Sequence, residues 1–522
     1  MTKPIDEMQR IGVLGAGTMG SGIALLGLRA DLQVALFDIS PEMLEKARAY
    51  LQKYLERKGD GAKISNLKTT TSLSDLHNCD ALIEAAPEKL DLKQRIFKEL
   101  DEVCGKNAIF ATNTSTLSVT EIASAISQPE RLAGMHFFNP APVLPLIEVI
   151  KGARTSAETM EFCIALSKKM GKTPVVTKDT SGFIVNRVAR PFYGEALRVV
   201  SENIATHEQV DDVMRLGGGF RMGPFQLMDL IGIDVNFTVM KSMFEQTFGD
   251  PRYKPSLVQL QKIQEGALGR KTGRGFYDYK DDFSEEQELD KNESPSFDGL
   301  VYVSDGSWAP GVRQMCLEKN VRLADNANEL VDIAIVRGGR SKELQALLRR
   351  LAKYLSPETV LLCQTSDITL HELATWVRRP ERLVGFDGLF LAKGSAATLT
   401  PSPALRPEHR KVVENFMTGV GKKSVWIDDG PGLILPRTIA MLANEAAFAI
   451  GERIADAEMI DKAMMLGVNY PKGPWQWAGE IGFNRILDIL DHLYQEYREE
   501  RYRAAPLLRR LVRSEKFMPT SR

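Results

Sequence analysis

Short apolar runs alternate with helix-patterned stretches over the first 185 residues. Residues 11–14, 34–37, 81–86 and 108–111 are each rich in aliphatic or aromatic side chains, a composition typical of strands buried in a parallel sheet. An apolar-rich stretch through Ala30 follows the first run and has helical character. This alternation predicts an α/β, Rossmann-like domain over residues 1–185.

The pattern becomes helical after residue 185. Apolar positions recur at helical spacing in residues 188–200 and 210–216, which predicts an all-α domain over 186–280. Residues 281–299 are acidic and polar, the composition of an exposed linker. The sequence therefore predicts an α/β domain, a helical domain and a linker, in that order.

The chain then repeats itself. PERLAG at 129–134 recurs as PERLVG at 380–385, and DTSGFIVNR at 179–187 recurs as DGPGLILPR at 429–437. MGPF at 222–225 corresponds to KGPW at 472–475, and the offset stays near 250 residues throughout. This duplication predicts a degenerate Rossmann-like domain over 300–427 and a second helical domain over 428–522.

Composition excludes several functional classes. The formal net charge of −1 over 522 residues suggests neither a nucleic-acid partner nor a membrane surface. No apolar run approaches the length of a bilayer span. The five cysteines are scattered without CxxC spacing, which indicates reduced thiols rather than a disulfide framework or a metal site. A cytoplasmic protein without a bound metal is expected.

A glycine fingerprint follows the first predicted strand. GAGTMG at 15–20 leads from the strand into a helix, so that Gly15, Gly17 and Gly20 permit a tight turn, close approach of a pyrophosphate and close helix packing. Asp38 ends the second predicted strand, where a carboxylate binds ribose hydroxyls and repels a 2′-phosphate. NAD is therefore predicted rather than NADP. The alternative is that Asp38 only starts the turn at 39–41.

The residues that suggest chemistry lie downstream of this fingerprint. Ser115, His136 and Glu148 provide a hydroxyl, an imidazole and a carboxylate. A histidine beside a carboxylate acts as a general base near neutral pH, and a bound nicotinamide would accept hydride, so the set indicates alcohol dehydrogenation. Taken singly, His136 beside two phenylalanines is typical of a core residue, Glu148 of a sheet edge, and Asn186 of a helix N-cap.

The second copy has lost these residues. Asp387 occupies the position of His136, Pro436 occupies that of Asn186, and residues 301–312 contain no GxGxxG. Ser366 still matches Ser115. The second copy is therefore expected to keep the fold without the site.

With these residues in view, the chain resembles the 3-hydroxyacyl-CoA dehydrogenase family. The shared stretches are GAGTMGSGIA, ATNTSTLSV, HFFNPAPVLPLIEV, DTSGFIVNR and GRKTGRGFYDY, all within residues 9–280. The duplicated layout is similar to that of long bacterial members of phenylacetate catabolism, which implies oxidation of 3-hydroxyadipyl-CoA to 3-oxoadipyl-CoA. A 3-hydroxybutyryl-CoA dehydrogenase is the alternative within the family.

The resemblance implies roles for individual residues. His136 matches the general base and Glu148 its carboxylate partner, while Ser115 and Asn186 match side chains that hydrogen-bond the substrate oxygens. Lys58 and Lys63 are candidate CoA contacts in a region, 39–83, that is shorter than in similar proteins. The implied NAD contacts are Gly15, Gly17, Thr18, Met19, Gly20, Asp38, Glu88, Lys93, Asn113, Ser115, Asn139 and Lys271.

The resemblance also bears on assembly and on rival functions. Helical domains of the family pair through apolar faces, and this chain carries two of them, so intrachain pairing within a monomer or homodimer is expected. A non-catalytic structural relative is a rival interpretation, against which the intact first site argues. A dehydrogenase of the 6-phosphogluconate or β-hydroxyacid type would be expected to use a lysine base instead.

Overall fold

The computed structural model describes residues 8–279, 296–305, 309–327, 330–337, 339 and 342–515. The chain forms two compact units: unit 1 is Met1–Val188 with Ala449–Gly473, and unit 2 is Ala189–Phe448 with Pro474–Arg522. Each unit thus combines residues of both copies. The predicted linker, 281–299, lies outside the described residues except for 296–299. The predicted domain boundaries follow the duplication and stay a prediction.

Unit 1 is built on an eight-stranded sheet with the order β3-β2-β1-β4-β5-β6-β7-β8. The strands are β1 Arg10–Leu14, β2 Gln33–Phe37, β3 Leu67–Thr70, β4 Ala81–Glu84, β5 Ile109–Thr112, β6 Leu132–Phe137, β7 Leu146–Lys151 and β8 Thr173–Lys178. Neighbouring strands are parallel except for β6 and β7, which are antiparallel. Every residue of β4, β5 and β6 is buried, which explains why most of their residues are apolar.

Helices cover both faces of this sheet. They are α1 Thr18–Arg29, α2 Pro41–Arg57, α3 Leu90–Val103, α4 Val119–Ala123, α5 Ala157–Lys169 and α6 Val185–Val188, joined by α17 Ala457–Gly467 of the second copy. Side chains of α1, α2 and α5 share one core with Ile83, whereas α3 and α4 share another with Leu82. Successive residues of β4 therefore face opposite cores, as the period of a strand requires.

Unit 2 contains a second sheet of seven strands in the order β10-β9-β11-β12-β13-β14-β15. These are β9 Leu300–Val303, β10 Arg322–Leu323, β11 Ile333–Val336, β12 Val360–Gln364, β13 Leu383–Phe386, β14 Ala396–Pro401 and β15 Lys423–Trp426. The antiparallel pair, β13 with β14, lies where β6 and β7 lie in the first sheet. Within the described residues this sheet has no counterpart of β3.

The helices of unit 2 come from both helical regions and from the second α/β region. They are α7 Arg190–Ser201, α8 His207–Asp212, α9 Pro224–Ile231, α10 Ile233–Gln246, α11 Leu257–Gln264, α12 Ala309–Glu318, α13 Lys342–Tyr354, α14 Leu370–Ala374, α15 Pro407–Gly419, α16 Leu435–Gly451 (which ends in unit 1), α18 Pro474–Ile481, α19 Phe483–Tyr497 and α20 Pro506–Glu515. The two sheets and the helical regions confirm the predicted fold class.

One predicted helix differs from a regular α-helix. The apolar pattern at 210–216 begins within α8, but the chain widens to a π-helix over Val213–Gly217, ahead of Gly218 and Gly219. The corresponding α17 in the second copy is regular to its end. Across the described part of the chain, no helix has both the length and the apolar character that crossing a membrane requires.

Candidate active site

The strand register of unit 1 brings His136 and Glu148 together. The two residues are direct partners across the antiparallel pair β6 and β7. His136 Nδ1 lies 2.7 Å from Glu148 Oε2, and the residues are only 6% and 0% exposed. Because a carboxylate only accepts hydrogen bonds, Nδ1 carries the proton, and Nε2 presents its lone pair when the imidazole is neutral.

The buried carboxylate of Glu148 is held from a second side. Its Oε1 accepts hydrogen bonds from the backbone N–H groups of Ile184 and Val185, each at 2.9 Å, where the chain enters α6. Charge-assisted hydrogen bonds of this kind fix a carboxylate and offset its burial. Glu148 therefore couples the imidazole to the start of α6.

Aromatic rings surround the imidazole. The ring of Phe138 lies 4.6 Å from that of His136 and the ring of Phe183 lies 5.9 Å away, measured between centroids. These rings exclude water from one side of the couple, so the interaction between the imidazole and the carboxylate is little screened. His136 is therefore packed like a core residue, and it also has the carboxylate partner that a general base requires.

Ser115 and Asn186 belong to the same unit. Asn186 lies in α6, directly after Val185, and its side-chain N–H group donates to the backbone oxygen of Ser115 at 3.4 Å. With the hydrogen bonds from Ile184 and Val185 to Glu148, this contact links all four predicted catalytic residues.

Glu88 organises the loop that carries Ser115. Its Oε1 accepts from the Thr114 hydroxyl at 2.6 Å, the Ser115 N–H at 2.8 Å and the Thr116 N–H at 3.0 Å. The Ser115 hydroxyl also lies 3.3 Å from this oxygen. Burial acts to raise the pKa of Glu88, but the Lys93 ammonium and these hydrogen bonds hold that pKa below its ordinary value.

Glu84, which the sequence reasoning missed, completes this network. It is fully buried at the end of β4 and accepts a hydrogen bond from Lys93 Nζ at 2.6 Å and from the Thr112 hydroxyl at 2.7 Å. Lys93 is 1% exposed and also lies 3.3 Å from Glu88. A charged residue ending an apolar strand was the available signal. Lys93 thus positions two carboxylates, and its direct contact with NAD stays a prediction.

The loop after β1 fits a dinucleotide pyrophosphate. A Cβ at Gly15, where φ is +100°, would lie 2.7 Å from the Ala85 carbonyl oxygen, and one at Gly20 would lie 1.8 Å from the Gly15 oxygen. A Cβ at Gly17 would meet nothing within 4 Å, so this N-cap leaves the first turn of α1 open. No acidic side chain stands in that turn, which includes Thr18 and Met19, so its N–H groups suit an anion.

Asp38 stands beside this loop. Its Oδ2 accepts from the Ala16 N–H at 2.7 Å and its Oδ1 from the Ser40 N–H at 2.9 Å. The carboxylate therefore lies at the glycine turn as well as at the end of β2. The two predicted asparagines follow strands of the same sheet. Asn113, directly after β5, accepts a hydrogen bond at Oδ1 from the Phe137 N–H at 2.9 Å, and Asn139 is exposed just beyond β6.

The three other predicted lysines are Lys58, Lys63 and Lys271. Lys63 Nζ lies 2.9 Å from Asp31 and 3.0 Å from the Arg29 oxygen, so its ammonium already has partners. Lys58 is exposed at the C-cap of α2. Lys271 belongs to unit 2 and lies 2.5 Å from Asp234. Their roles toward CoA and NAD stay predictions.

Comparison with known proteins identifies the family. The model described as "3-hydroxyacyl-CoA dehydrogenase, NAD binding domain" matches residues 10–180, and that described as "3-hydroxyacyl-CoA dehydrogenase, C-terminal domain" matches residues 182–279 and 432–521. A 3-hydroxyadipyl-CoA dehydrogenase of Escherichia coli (strain K12) is 38% identical over 512 residues, 96% of this chain and 97% of the relative. The chain belongs to the 3-hydroxyacyl-CoA dehydrogenase family.

Other members of the 3-hydroxyacyl-CoA dehydrogenase family extend this likeness. The crystal structure of a 3-hydroxybutyryl-CoA dehydrogenase from Escherichia coli K12 is 36% identical with a TM-score of 0.80, covering 98% of this chain and 99% of that one. A probable 3-hydroxybutyryl-CoA dehydrogenase of Bacillus subtilis (strain 168) is 40% identical and spans 53% of this chain. The predicted family, the NAD-dependent dehydrogenase class and NAD as cofactor are confirmed.

The second copy holds a different arrangement at the matching position. Asp387 is 5% exposed, and its Oδ1 accepts from the Leu389 N–H at 2.9 Å. Burial raises the pKa of this carboxyl to about 6. A single buried acid therefore replaces the histidine–carboxylate couple.

This burial leads to a pH-dependent prediction. Because the folded pKa of Asp387 is raised, its contribution to stability is present at low pH and is lost as the pH rises through about 6. We expect Asp387→Asn to raise the free energy of unfolding by about 1–3 kcal/mol at about pH 8. The gain should shrink toward about pH 4 in urea titrations. A gain that is independent of pH would contradict the assignment.

Proposed function

We propose that this chain oxidises (S)-3-hydroxyacyl-CoA to 3-oxoacyl-CoA with NAD, and that His136 is the general base. The buried pair of His136 and Glu148, with Glu148 anchored by two N–H groups of the backbone, is the observation that carries this proposal. NAD, when bound, supplies the acceptor for the hydride that leaves C3 of the substrate. A non-catalytic role would not require a buried acid–base couple of this kind.

His136 handles the proton of the reaction. As the C3–H bond breaks and the C3–O bond becomes a carbonyl, the 3-hydroxyl proton passes to Nε2 of the imidazole. Nδ1 keeps its proton and its hydrogen bond to Glu148, whose charge stabilises the imidazolium that forms. In the direction of reduction the same imidazolium returns the proton.

Ser115 and Asn186 orient the substrate in this proposal. Ser115 is part of the loop that Glu88 fixes, and Asn186 donates to the backbone of that loop. Asn186 also shares α6 with Val185, whose backbone N–H group holds Glu148. Hydrogen bonds from such groups to the substrate oxygens favour the geometry in which C3 becomes planar. Glu84 and Lys93 act indirectly, because they hold Glu88 in place.

Gly15, Gly17 and Gly20 hold the pyrophosphate of NAD in this proposal, and Asp38 selects NAD. We expect Asp38→Ala to raise the KM for NAD ~10-fold or more, because a charge-assisted contact to the ribose is lost. Discrimination against NADP should fall as well, since the repelling charge disappears. Steady-state kinetics with both cofactors test this, and Glu42→Ala, an exposed carboxylate 73% accessible at its side chain, is the control. A wild-type preference for NADP would refute the role of Asp38.

The relatives support two candidates for the acyl group. The 3-hydroxyadipyl-CoA dehydrogenase that matches nearly the whole chain supports 3-hydroxyadipyl-CoA as the substrate. The 3-hydroxybutyryl-CoA dehydrogenase of known crystal structure, which also matches nearly the whole chain, supports 3-hydroxybutyryl-CoA as the second candidate. Values of kcat/KM for both CoA thioesters, followed by NADH absorbance, distinguish the two. Absence of NADH formation with either would refute the proposed function.

The two helical regions pair within one chain in this proposal, as a monomer or within a homodimer. In unit 2, Arg437 of the second region lies 2.6 Å from Glu195 of the first, and Arg252 of the first lies 3.0 Å from Glu445 of the second. The Phe220 and Trp477 rings add an apolar contact at 5.4 Å. Such contacts are the kind that dimers of single-copy members would form between chains.

A cytoplasmic location is part of the proposal. All five cysteines lie in described residues, and each is a buried free thiol. Burial raises the pKa of Cys163 to about 12, so this thiol stays protonated and unreactive at neutral pH. Thiols kept free in this way suit a reducing compartment.

A further inference from the structure

A segment of the second copy packs against the first copy's site. Residues 449–473 belong to unit 1, which contains His136 and Glu148. Within this segment, α17 contacts β7, β8 and α6. Glu148 lies on β7 and Asn186 on α6. A helix of the second copy, which has no base, therefore packs against the elements that carry the site of the first copy.

Gly467, at the end of α17, makes the closest approach. A Cβ placed there would lie 2.6 Å from Leu146 Cδ2, 3.3 Å from Val185 Cγ2 and 3.7 Å from Phe138 Cε1. There is therefore no room behind these three side chains for a larger residue without movement of the site.

Each neighbour of Gly467 is connected to the catalytic couple. The Val185 N–H group donates to Glu148, and Leu146 starts β7, two residues before Glu148. The Phe138 ring packs on the imidazole of His136. A larger side chain at position 467 would therefore displace residues that hold the Glu148 carboxylate and the His136 imidazole.

Polar contacts anchor the same segment. Arg187 Nη1 lies 2.8 Å from Glu452 Oε2, and the side chain of Arg187 is 7% exposed. At the end of β8, an edge strand of the sheet, the Lys178 backbone N–H group donates to the Ile454 oxygen at 3.3 Å. Because Arg187 directly follows Asn186, the ion pair fixes the helix that presents Asn186.

Unit 2 repeats this arrangement with the copies exchanged. Gly217, the duplicate of Gly467, would place a Cβ 3.6 Å from Leu435, the duplicate of Val185. Arg437 and Glu202, the duplicates of Arg187 and Glu452, lie 3.3 Å apart. The exchange is therefore reciprocal, but in the second copy the residue that corresponds to His136 is Asp387, which has no imidazole.

We propose that residues 449–473 are a supporting element of the active site, in which Gly467 and Glu452 are positioning residues for Glu148 and Asn186. This proposal rests on the proposed function of His136 and Glu148. It explains why the second copy retains this helical segment although it has lost its own base. The segment packs against the elements that hold His136 and Glu148 of the first copy.

A matched pair of full-length variants tests this proposal. Gly467→Leu should lower kcat for (S)-3-hydroxybutyryl-CoA ~10–100-fold, with the KM for NAD changed less than ~3-fold. Gly217→Leu, the same change at the duplicate position, should keep kcat close to wild type. Gly467→Ala should keep most of the wild-type rate, because the atom nearest to the added Cβ is Cδ2, at the end of the Leu146 side chain, which can rotate away. Circular dichroism and the thermal midpoint report folding in each case.

Glu452→Gln keeps the test decisive if Gly467→Leu does not fold. Its side chain is 47% exposed, so the change is mild, and we expect kcat to fall ~3–10-fold with Glu452→Asp partly restoring it. Wild-type kcat in the Glu452→Gln variant, or equal losses in the two glycine variants, would overturn the proposal. A wild-type enzyme that forms no NADH would instead refute the proposed function.

Discussion

The His136→Gln variant should oxidise (S)-3-hydroxybutyryl-CoA ~10²–10⁴ times more slowly than wild type, the usual contribution of a positioned general base. Glutamine cannot accept the 3-hydroxyl proton, although its amide N–H group could still donate to Glu148. The Kd for NAD, measured by titration of the protein with the cofactor, should stay close to wild type. The glycine loop and Asp38, which we propose hold the cofactor, are unaltered by this change.

A second histidine–carboxylate pair in the same chain provides the control. His371 Nδ1 lies 2.6 Å from Asp429 Oδ2 in unit 2, but its side chain is 64% exposed. We expect His371→Gln to leave kcat unchanged. Both histidines contact a carboxylate, but His371 is exposed and lies in the copy that lacks the site, whereas His136 is buried in the unit that also contains Ser115 and Asn186. Wild-type turnover in the His136→Gln variant would refute the assignment of the base.

Local sequence predicted much of this site because its parts lie close together along the chain. His136 and Glu148 are 12 residues apart and meet across one antiparallel pair, so a single strand reversal is enough to join them. The glycine fingerprint was similarly accessible, since its turn, helix and following strand are consecutive. The apolar strands β4 and β5 were recognisable because both of their faces are buried.

Contacts between distant segments were not accessible in this way. The Arg187–Glu452 pair joins residues 265 positions apart, and no local pattern encodes it. Glu84 was missed because its partner Lys93 lies on the next helix, where a lysine usually faces solvent. Lys63 was considered for CoA because its partner Asp31 could not be located without the fold.

The exchange of helical segments between copies was only half predicted. The duplication suggested that the helical regions pair, and contacts such as that of Arg437 with Glu195 support this. Tertiary packing decides that residues 449–473 join the unit that contains the first sheet. The sequence could not predict this, since the apolar pattern of α17 is that of an ordinary amphipathic helix. The sequence of one copy therefore could not reveal what covers its site.

Breaking the buried ion pair of Arg437 should strongly destabilise unit 2. Arg437 and Glu195 are 0% and 2% exposed at their side chains, with Nε and Oε2 2.6 Å apart. The Tyr502 hydroxyl lies 2.6 Å from Arg437 Nη2 and 2.8 Å from Glu195 Oε2. Burial acts to raise the pKa of Glu195, but the Arg437 guanidinium holds it below its ordinary value, so the pair is ionised at neutral pH.

Arg437→Met should therefore lower the free energy of unfolding by about 3–5 kcal/mol, because it leaves the Glu195 carboxylate buried without its cation. Urea unfolding at neutral pH measures the loss, and Lys46→Met, which breaks an exposed pair with Glu42, should cost below about 1 kcal/mol. The double variant Arg437→Met with Glu195→Leu should recover most of the loss, since no unpaired charge is then buried. If Arg437→Met costs no more than Lys46→Met, the ion pair does not stabilise the packing of the two helical regions, and the proposed pairing would have to rest on their apolar contacts alone.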